Sequence, residues 1–389
     1  MSGRDWQTDA IIVGGGIAGL WLANLLVRQG YQVVVLEKDR LGAGQTLASQ
    51  GMIHGGLKYA LTGRLTRASQ AIADMPERWR SCLDGTGDLD LSALAPLAER
   101  YYLFAESSSL GRLTGFFASR SLRGRIEKVE PHDYPCVFAN PAFHGVVYAL
   151  RDFVLDTGAL VSQLNDTLRG CVFQHAVAPE DLLVEADRVV LRLPDASLTA
   201  RHLIICAGAG SQPLLDGLGL RRPRMQLRPL HQVVVRHEHP HPMYAHCLTG
   251  IRRAEPRLTI TSHPDGDHWL WYLGGQLATD GVKLDAPALI DRARRELEAC
   301  VPWLSWDDAR FETLRIDRAE PEQTRGGRPD EAFAAAVGSC VVCWPTKLSL
   351  VPDLGDKVLG LLDPPSAPHP GSPDLGLPAA RVGRSPWET

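Results

Sequence analysis

The feature that most constrains the fold of this chain is a cluster of glycines between two apolar segments near its start. Residues 10–13 are all apolar and predict a short, buried, parallel strand. Residues 14–19 follow with the spacing G-x-G-x-x-G, and residues 20–29 predict a helix. A second apolar strand, residues 31–36, ends at Glu37, about 20 residues beyond the glycines. This order of elements is a dinucleotide-binding fingerprint.

Each glycine has its own role in that fingerprint. Gly14 permits the tight turn, Gly16 lets the backbone approach a pyrophosphate, and Gly19 lets the helix pack against the strand. The start of the helix presents N–H groups and a partial positive charge to the phosphates. Glu37 can accept hydrogen bonds from ribose hydroxyls, which argues against NADP, and Lys38 beside it is a further candidate cofactor-binding residue. The fingerprint does not separate NAD from FAD.

The apolar stretch over residues 10–27 is long enough to suggest a membrane span. Its glycines would weaken a spanning helix, and Asp5 and Asp9 precede it, so a strand, a turn and a buried helix explain the pattern better. We therefore expect no integral membrane segment. The formal net charge of −4 offers no basic surface for nucleic acid. The eight scattered cysteines indicate reduced thiols, so we expect a cytoplasmic protein, either free or peripheral to the membrane.

Residues 42–59 are rich in glycine and small polar residues, so their backbone can approach a flat ring and phosphates. Within them, residues 49–59 read Ser-Gln-Gly-Met-Ile-His-Gly-Gly-Leu-Lys-Tyr. This run resembles the Ser-x-x-x-Ile-His-x-Gly-x-x-Tyr segment of the D-amino-acid oxidase and glycerol-3-phosphate dehydrogenase family of FAD oxidoreductases, including the L-2-hydroxyglutarate dehydrogenases. The resemblance implies that the cofactor is FAD and that Ser49, Gln50 and Gly51 bind it.

Two later segments carry the same resemblance. Residues 203–211 are similar to the family's apolar strand that ends in Ala-Gly-x-x-Ser. Residues 340–349 are similar to a C-terminal flavin segment that reads Phe-Lys-Leu-Ser in monomeric sarcosine oxidase. The resemblance implies that the Lys347 ammonium lies near the flavin or the substrate, and spacing adds Val177 as an adenine contact. The further cofactor-binding residues implied in this way are Ala207, Gly208, Thr346, Lys347 and Leu348.

The chain departs from the family pattern in two places. The usual Gly-His-Gly before the C-terminal flavin segment is replaced by Cys343, Trp344 and Pro345. The Gly-Leu-Arg-Pro run, whose arginine binds a carboxylate in the amino-acid oxidases, occurs only in altered form over residues 326–329. These departures leave the identity of the substrate open.

The resemblance implies an α/β fold in which a Rossmann-like FAD-binding domain is interleaved with an antiparallel-sheet α+β substrate domain. In the substrate domain, residues 231–236, 257–261 and 269–273 predict strands, and Asp285 predicts the N-cap of a long helix. Residues 366–389 predict a Pro/Gly-rich tail that packs on the surface or is mobile. The FAD-binding domain is expected over residues 1–75, 140–215 and 315–365, and the substrate domain over residues 76–139 and 216–314.

Oxidation of an alcohol or amine needs a proton acceptor, and His54 is the first candidate for it. The alternative is that His54 only hydrogen-bonds the cofactor or the fold. Lys347 could bind a substrate anion or hold negative charge on the reduced flavin. Arg318 and Arg328, and more weakly Arg315, are candidate carboxylate clamps, because a guanidinium grips a carboxylate through two hydrogen bonds. Their alternative role is ion pairing at the surface.

Two patterns raise the question of a metal site. Cys340 and Cys343 have Cys-x-x-Cys spacing, but in a strand these positions point to opposite faces. Residues 237–242 carry three alternating histidines, but their two prolines favour a surface loop. We predict no bound metal.

These features predict an FAD-dependent oxidoreductase that oxidises a small, anionic substrate by hydride transfer to flavin N5. The Ile-His-Gly-Gly run favours 2-hydroxy acids or glycerol phosphate, whereas the Lys-Leu-Ser run favours amino acids or secondary amines. The electron acceptor would be oxygen or a quinone-type carrier. The alternative is a flavin-binding electron-transfer or assembly protein with little oxidase activity.

Overall fold

A computed structural model of the chain describes residues 4–56, 71–106, 126–249, 255–324, 327, 329–366 and 373–388. Its α-helices are α1 Ile17–Arg28, α2 Met75–Leu83, α3 Thr157–Asp166, α4 Ser211–Gly217, α5 Gln276–Gly281, α6 Ala286–Cys300 and α7 Val351–Leu359. Its strands are β1 Arg4–Val13, β2 Val33–Glu37, β3 Met52–Ile53, β4 Tyr101–Glu106, β5 Ile126–Lys128, β6 Gly145–Leu150, β7 Phe153–Val154, β8 Val172–Gln174, β9 Leu182–Val184, β10 Val189–Arg192, β11 Ala196–Ile205, β12 Met225–Arg236, β13 Ala245–Cys247, β14 Leu258–Asp265, β15 His268–Gly274, β16 Arg310–Pro321, β17 Phe333–Val337 and β18 Cys340–Trp344.

The first sheet has the strand order β17-β18-β11-β1-β2-β8. The pairings among β18, β11, β1, β2 and β8 are parallel, while β17 and the β9–β10 pair extend the sheet antiparallel. Because helices and loops cover both faces of such a sheet, β1 is apolar on both: Ala10 and Ile12 pack toward α1, and Ile11 and Val13 pack into a separate core. The carboxyl ends of β1, β11 and β18 meet at one edge, and the predicted Rossmann-like sheet is confirmed.

The second sheet has the strand order β16-β12-β15-β14-β13-β4-β6-β5 and is antiparallel except between β13 and β4. Helix α6 covers one face, where Leu289 and Leu297 pack in one cluster with Trp271. The Asp285 side chain accepts a hydrogen bond from the Ala288 amide at 2.9 Å, which confirms the predicted N-cap. The opposite face is the one that meets the glycine-rich residues after β2.

Several elements differ in extent from the sequence-based expectation. β1 begins at Arg4 instead of residue 10, because its first residues pair with β11 from Ala196 onward. α1 begins at Ile17 instead of residue 20, since Gly16 already has the extended conformation of an N-cap. The domain boundaries stay a prediction. β6 and the second half of β16, from Arg315 on, fall within the expected FAD-binding domain but pair with β4 and β12 in the second sheet.

The helices, the cysteines and the C-terminal tail each bear on a sequence-based expectation. Among the helices of the described ranges, none is long and apolar enough to cross a membrane. All eight cysteines lie within those ranges, and each carries a free thiol. The described part of the predicted tail, residues 373–388, packs against both sheets.

Asp9, on β1, is a buried carboxylate that joins three segments of the first sheet. It accepts hydrogen bonds from the Gln32 amide at 2.8 Å and from the amide and hydroxyl of Ser366, and Arg201 lies 3.8 Å away. Burial by itself raises the pKa of this carboxyl. The hydrogen bonds from Ser366 and Gln32, together with the charge of Arg201, outweigh burial and lower the pKa below its ordinary value of 3.8.

We expect Asp9→Asn to lower the free energy of unfolding by about 2 kcal/mol at neutral pH, because the donors around it lose a charged acceptor. A carboxyl with a lowered pKa stabilises the fold above its unfolded pKa, and that contribution is lost as the pH falls through the folded pKa. The difference from wild type should therefore hold from about pH 7 to about pH 5 and shrink below about pH 4. Urea unfolding measures it, with exposed Asp5→Asn on the same strand as control. A difference that persists undiminished in acid would contradict this account.

Candidate cofactor site and active site

The glycine fingerprint forms a cradle where the ends of β1 and β11 meet the start of α1. Gly14 has a φ of +111°, and a Cβ there would lie 2.6 Å from the Cys206 carbonyl oxygen. A Cβ on Gly19 would lie 1.9 Å from the Gly14 carbonyl oxygen. A side chain at either position would push these elements apart. Contacts within the protein therefore require both glycines.

Gly16 is different, because protein packing does not explain it. A Cβ on Gly16 would have one neighbour within 4 Å, the Thr46 hydroxyl oxygen at 3.4 Å. That hydroxyl accepts a hydrogen bond from the Ile17 amide at 3.0 Å and caps the first turn of α1. The glycine leaves the amino end of the helix accessible, as a bound pyrophosphate requires. This is the position at which the cradle fits a dinucleotide.

Glu37 lies at the end of β2 beside the cradle. One carboxylate oxygen accepts from the Gly15 amide at 2.7 Å, and the other accepts from the Asp39 amide at 3.0 Å. Each oxygen has a second lone pair, so the same carboxylate can also accept from ribose hydroxyls. Lys38 is exposed beside it, and Val177 is half-buried beyond β8, the strand that pairs with β2. Both remain predicted contacts.

Ala207 and Gly208 follow β11 and close the other side of the cradle. A Cβ on Gly14 would lie 2.9 Å from the Ala207 Cα. Gly208 has a φ of +54°, and a Cβ there would lie 3.4 Å from the side-chain amide nitrogen of Gln45. The structure thus brings the second predicted segment against the fingerprint and against the glycine-rich loop, residues 42–56.

A tight turn at Gly51 holds the glycine-rich loop near the first residues of α3. Gly51 has a φ of +67°, and a Cβ there would lie 2.0 Å from the Leu155 carbonyl oxygen. The Leu155 amide donates to the Gly51 carbonyl oxygen at 2.9 Å, and the Ser49 hydroxyl accepts from the Gly51 amide at 3.4 Å. No side chain other than hydrogen fits at this position, so the loop has one backbone path here.

The side chain of Gln50 joins this loop to the second sheet. Its Nε2 donates to the Tyr272 carbonyl oxygen at 2.9 Å and to the Thr261 hydroxyl at 3.2 Å. The Tyr272 hydroxyl in turn donates to the Ala48 carbonyl oxygen at 3.0 Å. Because the side-chain amide of Gln50 contacts the sheet, a cofactor contact from this residue would come from its backbone. The predicted cofactor role of this residue remains a prediction.

The sheet face that meets the loop carries a buried polar layer that the motif analysis misses. His246 Nδ1 lies 2.9 Å from the Thr259 hydroxyl, and His263 Nε2 lies 3.3 Å from the Thr261 hydroxyl. Burial lowers the pKa of His246 to about 3 and that of His263 to about 4, so both rings are neutral at physiological pH. The signal that could have revealed the layer is the two-residue spacing of these polar side chains along β14.

His54 lies where the glycine-rich loop meets the C-terminal flavin segment. Its amide donates to the Ser349 hydroxyl at 2.9 Å, and the Gly56 amide donates to His54 Nδ1 at 3.2 Å. A ring nitrogen that accepts is unprotonated, so the neutral ring carries its proton on Nε2. The Ser349 carbonyl also accepts from Trp79 Nε1 at 3.0 Å. Two of the three predicted segments therefore meet at His54.

Thr346, Lys347 and Leu348 connect β18 to the 3-10 turn Leu348–Leu350. Among the described non-glycine residues, Thr346 is the one with a left-handed backbone, at a φ of +63°. The Lys347 ammonium donates to the carbonyl oxygens of Pro329 and Asp330, each at 3.3 Å. These contacts lie before β17, and the predicted approach of Lys347 to flavin or substrate remains a prediction.

Arg318 lies on β16, in register with Arg228 on β12, and its Nε donates to the Arg228 carbonyl oxygen at 3.4 Å. Positions 228 and 232 are separated by an even number of residues, so Arg318 shares a sheet face with Gln232. Gln232 accepts from the Tyr272 hydroxyl at 2.9 Å. The structure therefore places this guanidinium on the same face as the polar layer.

The other arginine candidates lie elsewhere. Arg315 projects from the opposite face of β16 and donates to the Val282 carbonyl oxygen at 2.9 Å. Arg328 and the neighbouring Gly326 lie outside the described residues. Arg318 is thus the candidate clamp that the described structure puts on the sheet face that carries the polar layer.

The cysteine pattern of β18 behaves as a strand pattern. Cys340 and Cys343 pack into cores on opposite sides of the sheet, as predicted. The Cys343 thiol lies 3.3 Å from the Cys206 thiol at the end of β11. Within the described ranges, no group of three or more His, Cys, Asp or Glu side chains converges as metal ligands would.

We expect Gly19→Ala and Gly16→Ala to damage different properties. The first places a methyl group 1.9 Å from a backbone oxygen, so the apoprotein should lose at least about 4 kcal/mol of stability or fail to fold. The second meets Thr46 at 3.4 Å, so the apoprotein should melt within about 3 °C of wild type. Its affinity for FAD should fall by about tenfold or more, because the methyl group takes the space of a phosphate.

Thermal unfolding of the apoproteins and fluorescence titration with FAD measure these effects. The control is Gly360→Ala, whose methyl group would lie 3.5 Å from the Asp356 carbonyl oxygen, far from the cradle along the chain. Equal FAD affinities for the Gly16 and Gly360 variants would contradict a pyrophosphate at the start of α1.

Comparison with known proteins places the chain in a family. The sequence model of the DAO family, described as FAD dependent oxidoreductase, matches residues 9–332. The probable FAD-dependent oxidoreductase PA4991 of Pseudomonas aeruginosa is 44% identical over 387 residues, which cover 98% of this chain and 98% of that protein. One subunit of the anaerobic glycerol-3-phosphate dehydrogenase of Escherichia coli is 36% identical over 63 residues, which cover 16% of this chain and 12% of that protein.

Solved structures agree with this placement. The crystal structure of PA4991 superposes with a TM-score of 0.84 at 38% identity and covers 100% of this chain and 99% of that chain. The L-alpha-glycerophosphate oxidase from Mycoplasma pneumoniae, solved with FAD bound, gives a TM-score of 0.65 at 14% identity, with 93% and 97% covered. Glycine oxidase from Geobacillus kaustophilus gives 0.61 at 17% identity, with 93% and 96% covered. The last two show the fold alone. The chain is therefore a member of the DAO family of FAD-dependent oxidoreductases, and its cofactor is FAD.

Proposed function

We propose that this enzyme oxidises a small amine that bears one carboxylate, such as an amino acid or a secondary amine. FAD, when bound, supplies the acceptor for a hydride at N5. The observation that carries the proposal is the uncharged character of the polar layer formed by His246, Thr259, Thr261 and His263. The charged Arg228–Glu320 pair lies on the same sheet face, at the level of Arg318. The polar layer of the second sheet faces the glycine-rich loop with hydroxyls, amides and uncharged imidazoles.

The two histidines of the polar layer are poor proton acceptors. His246 and His263 have pKa values lowered by burial to about 3 and about 4, so they hold a proton weakly at neutral pH. His54 Nδ1 already accepts from the Gly56 amide, so a base role there would require that hydrogen bond to break. This arrangement supports the alternative role for His54, in which it only hydrogen-bonds the cofactor or the fold.

A polar layer whose imidazoles are weak bases favours amines over alcohols as substrates. An alcohol must lose its hydroxyl proton as the hydride departs, and this step needs a base in place. An amine can lose its extra proton to solvent before the hydride departs, and its lone pair then assists the departure. The residues of the polar layer would need only to orient the carbon–hydrogen bond and to exclude water.

Arg318 is the residue we assign to the carboxylate. It is half-buried on the polar face, so a bidentate contact there would be shielded from water. Arg228, in register with Arg318, already pairs with Glu320 at 2.6 Å, so Arg318 is the guanidinium we assign to the substrate, and its one positive charge favours a carboxylate over the two negative charges of a phosphate. Oxygen or a quinone-type carrier would then accept the electrons from the reduced enzyme.

Anaerobic mixing of the FAD-loaded enzyme with a substrate panel tests the proposal. Bleaching of the visible flavin absorbance by amino acids or N-methyl amino acids is the expected result. Bleaching by 2-hydroxy acids or glycerol phosphate alone would overturn the amine assignment. Bleaching by none of them, in enzyme that dithionite still reduces, would favour the electron-transfer or assembly function.

We expect Arg318→Ala to raise the KM for an amino acid substrate about 100-fold, because a charged hydrogen-bonded pair is lost. The KM for the corresponding amine without its carboxylate should change less than about threefold. Steady-state kinetics with both substrates measure the difference, and Arg315→Ala on the opposite face of β16 is the matched control. Equal effects of Arg318→Ala on both substrates would assign this arginine a structural role.

A further inference from the structure

Residues 373–388 form a C-terminal segment, which we name the clasp. It has no part in the proposed oxidation. It lies outside the residues that the family model matches. Its first part extends the edge of the first sheet beside β8. There the Gln174 amide donates to the Pro378 carbonyl oxygen at 2.8 Å, and the Ala380 amide donates to the Val172 carbonyl oxygen at 3.2 Å.

The middle of the clasp grips Leu41, the residue before the glycine-rich loop. The Leu41 amide donates to the Arg381 carbonyl oxygen at 2.8 Å, and the Gly383 amide donates to the Leu41 carbonyl oxygen at 2.9 Å. Leu41 is fully buried, and a Cβ on Gly15 would lie 2.4 Å from its side chain. The next residue, Gly42, donates its amide to the Gly15 carbonyl oxygen at 2.9 Å. The clasp therefore holds the residue that backs the phosphate cradle.

The end of the clasp reaches the second sheet. The Trp387 ring is buried, with its centroid 4.9 Å from that of Tyr272 and 4.6 Å from that of His263. Arg236, on β12, donates from Nη2 to the Trp387 carbonyl oxygen at 2.6 Å. Tyr272 is the residue whose hydroxyl and carbonyl groups hold Ala48 and Gln50 of the glycine-rich loop. One short segment thus contacts both supports of that loop.

We propose that the clasp positions the glycine-rich loop for FAD. Through its hydrogen bonds with Leu41, the clasp holds the start of the loop beside the cradle. Through Trp387 it packs against Tyr272, which holds the middle of the loop. The two attachments act on the same backbone, so release of either end leaves the loop with more conformations and weakens FAD binding. This inference rests on FAD as the cofactor and is independent of the substrate.

Substitution of Trp387 tests the proposal. Trp387→Ala should raise the dissociation constant of FAD about tenfold, measured by titration of the apoprotein, and should blur the fine structure of the visible spectrum of the bound flavin. Trp387→Phe keeps an aromatic ring on Tyr272 and should restore both to within about threefold of wild type. Gly383→Val should weaken FAD binding as well, because its Cβ would lie 3.1 Å from the Leu41 carbonyl oxygen and 2.9 Å from the Leu47 side chain.

The matched control is Trp306→Ala, which removes an equally buried tryptophan from the opposite face of the same sheet. It should lower the melting temperature of the apoprotein while leaving FAD affinity within about threefold of wild type. Equal loss of FAD affinity in the two alanine variants, or none in Trp387→Ala, would overturn the proposal.

Hydrogen exchange gives a second readout that needs no variant. Coupling between two sites is reciprocal, so if the clasp strengthens FAD binding, FAD must strengthen the docking of the clasp. Added FAD should therefore slow exchange of the Leu41 and Gly383 amides in the wild-type apoprotein at least about fivefold. Unchanged exchange at both amides, in protein that has bound FAD, would contradict the coupling.

Discussion

The close approach of three backbone segments at the end of β1 is the constraint on which the rest of the structure depends. Gly14 sits against the Cys206 carbonyl group of β11, and Gly19 sits against the Gly14 carbonyl group. No Cβ fits at either contact. This proximity brings the amino end of α1 to the edge where the parallel strands end. There it lies beside the glycine-rich loop and the turn at Gly208.

A small number of hydrogen bonds links the second sheet to that cradle through the glycine-rich loop. Gln50 and Tyr272 link the glycine-rich loop to β14 and β15, and the same loop follows Leu41, which lies beside the cradle. A rearrangement of the loop would therefore alter both the phosphate contacts and the polar face opposite them.

Local sequence signals were sufficient for the parts of the fold that depend on local rules. The strand, glycine turn and helix around Gly14 follow from apolar runs and glycine spacing, and Asp285 follows from N-cap chemistry. The partners of individual side chains could not be predicted from the sequence, because they depend on contacts between distant segments. Examples are Gln50, which contacts β14 and β15, and Lys347, which contacts the chain before β17. The polar layer was missed because His246 lies on β13 while its partners lie on β14, so the layer forms no contiguous motif.

The central claim is that a pyrophosphate binds at the start of α1. The most direct test is a crystal structure of the FAD-loaded enzyme. We predict phosphate oxygens within hydrogen-bonding distance of the Gly16 amide at the start of α1, and an isoalloxazine ring between the glycine-rich loop and the polar face of the second sheet. Density for the pyrophosphate at any other edge of the first sheet, with the start of α1 in contact only with solvent, would contradict the central claim.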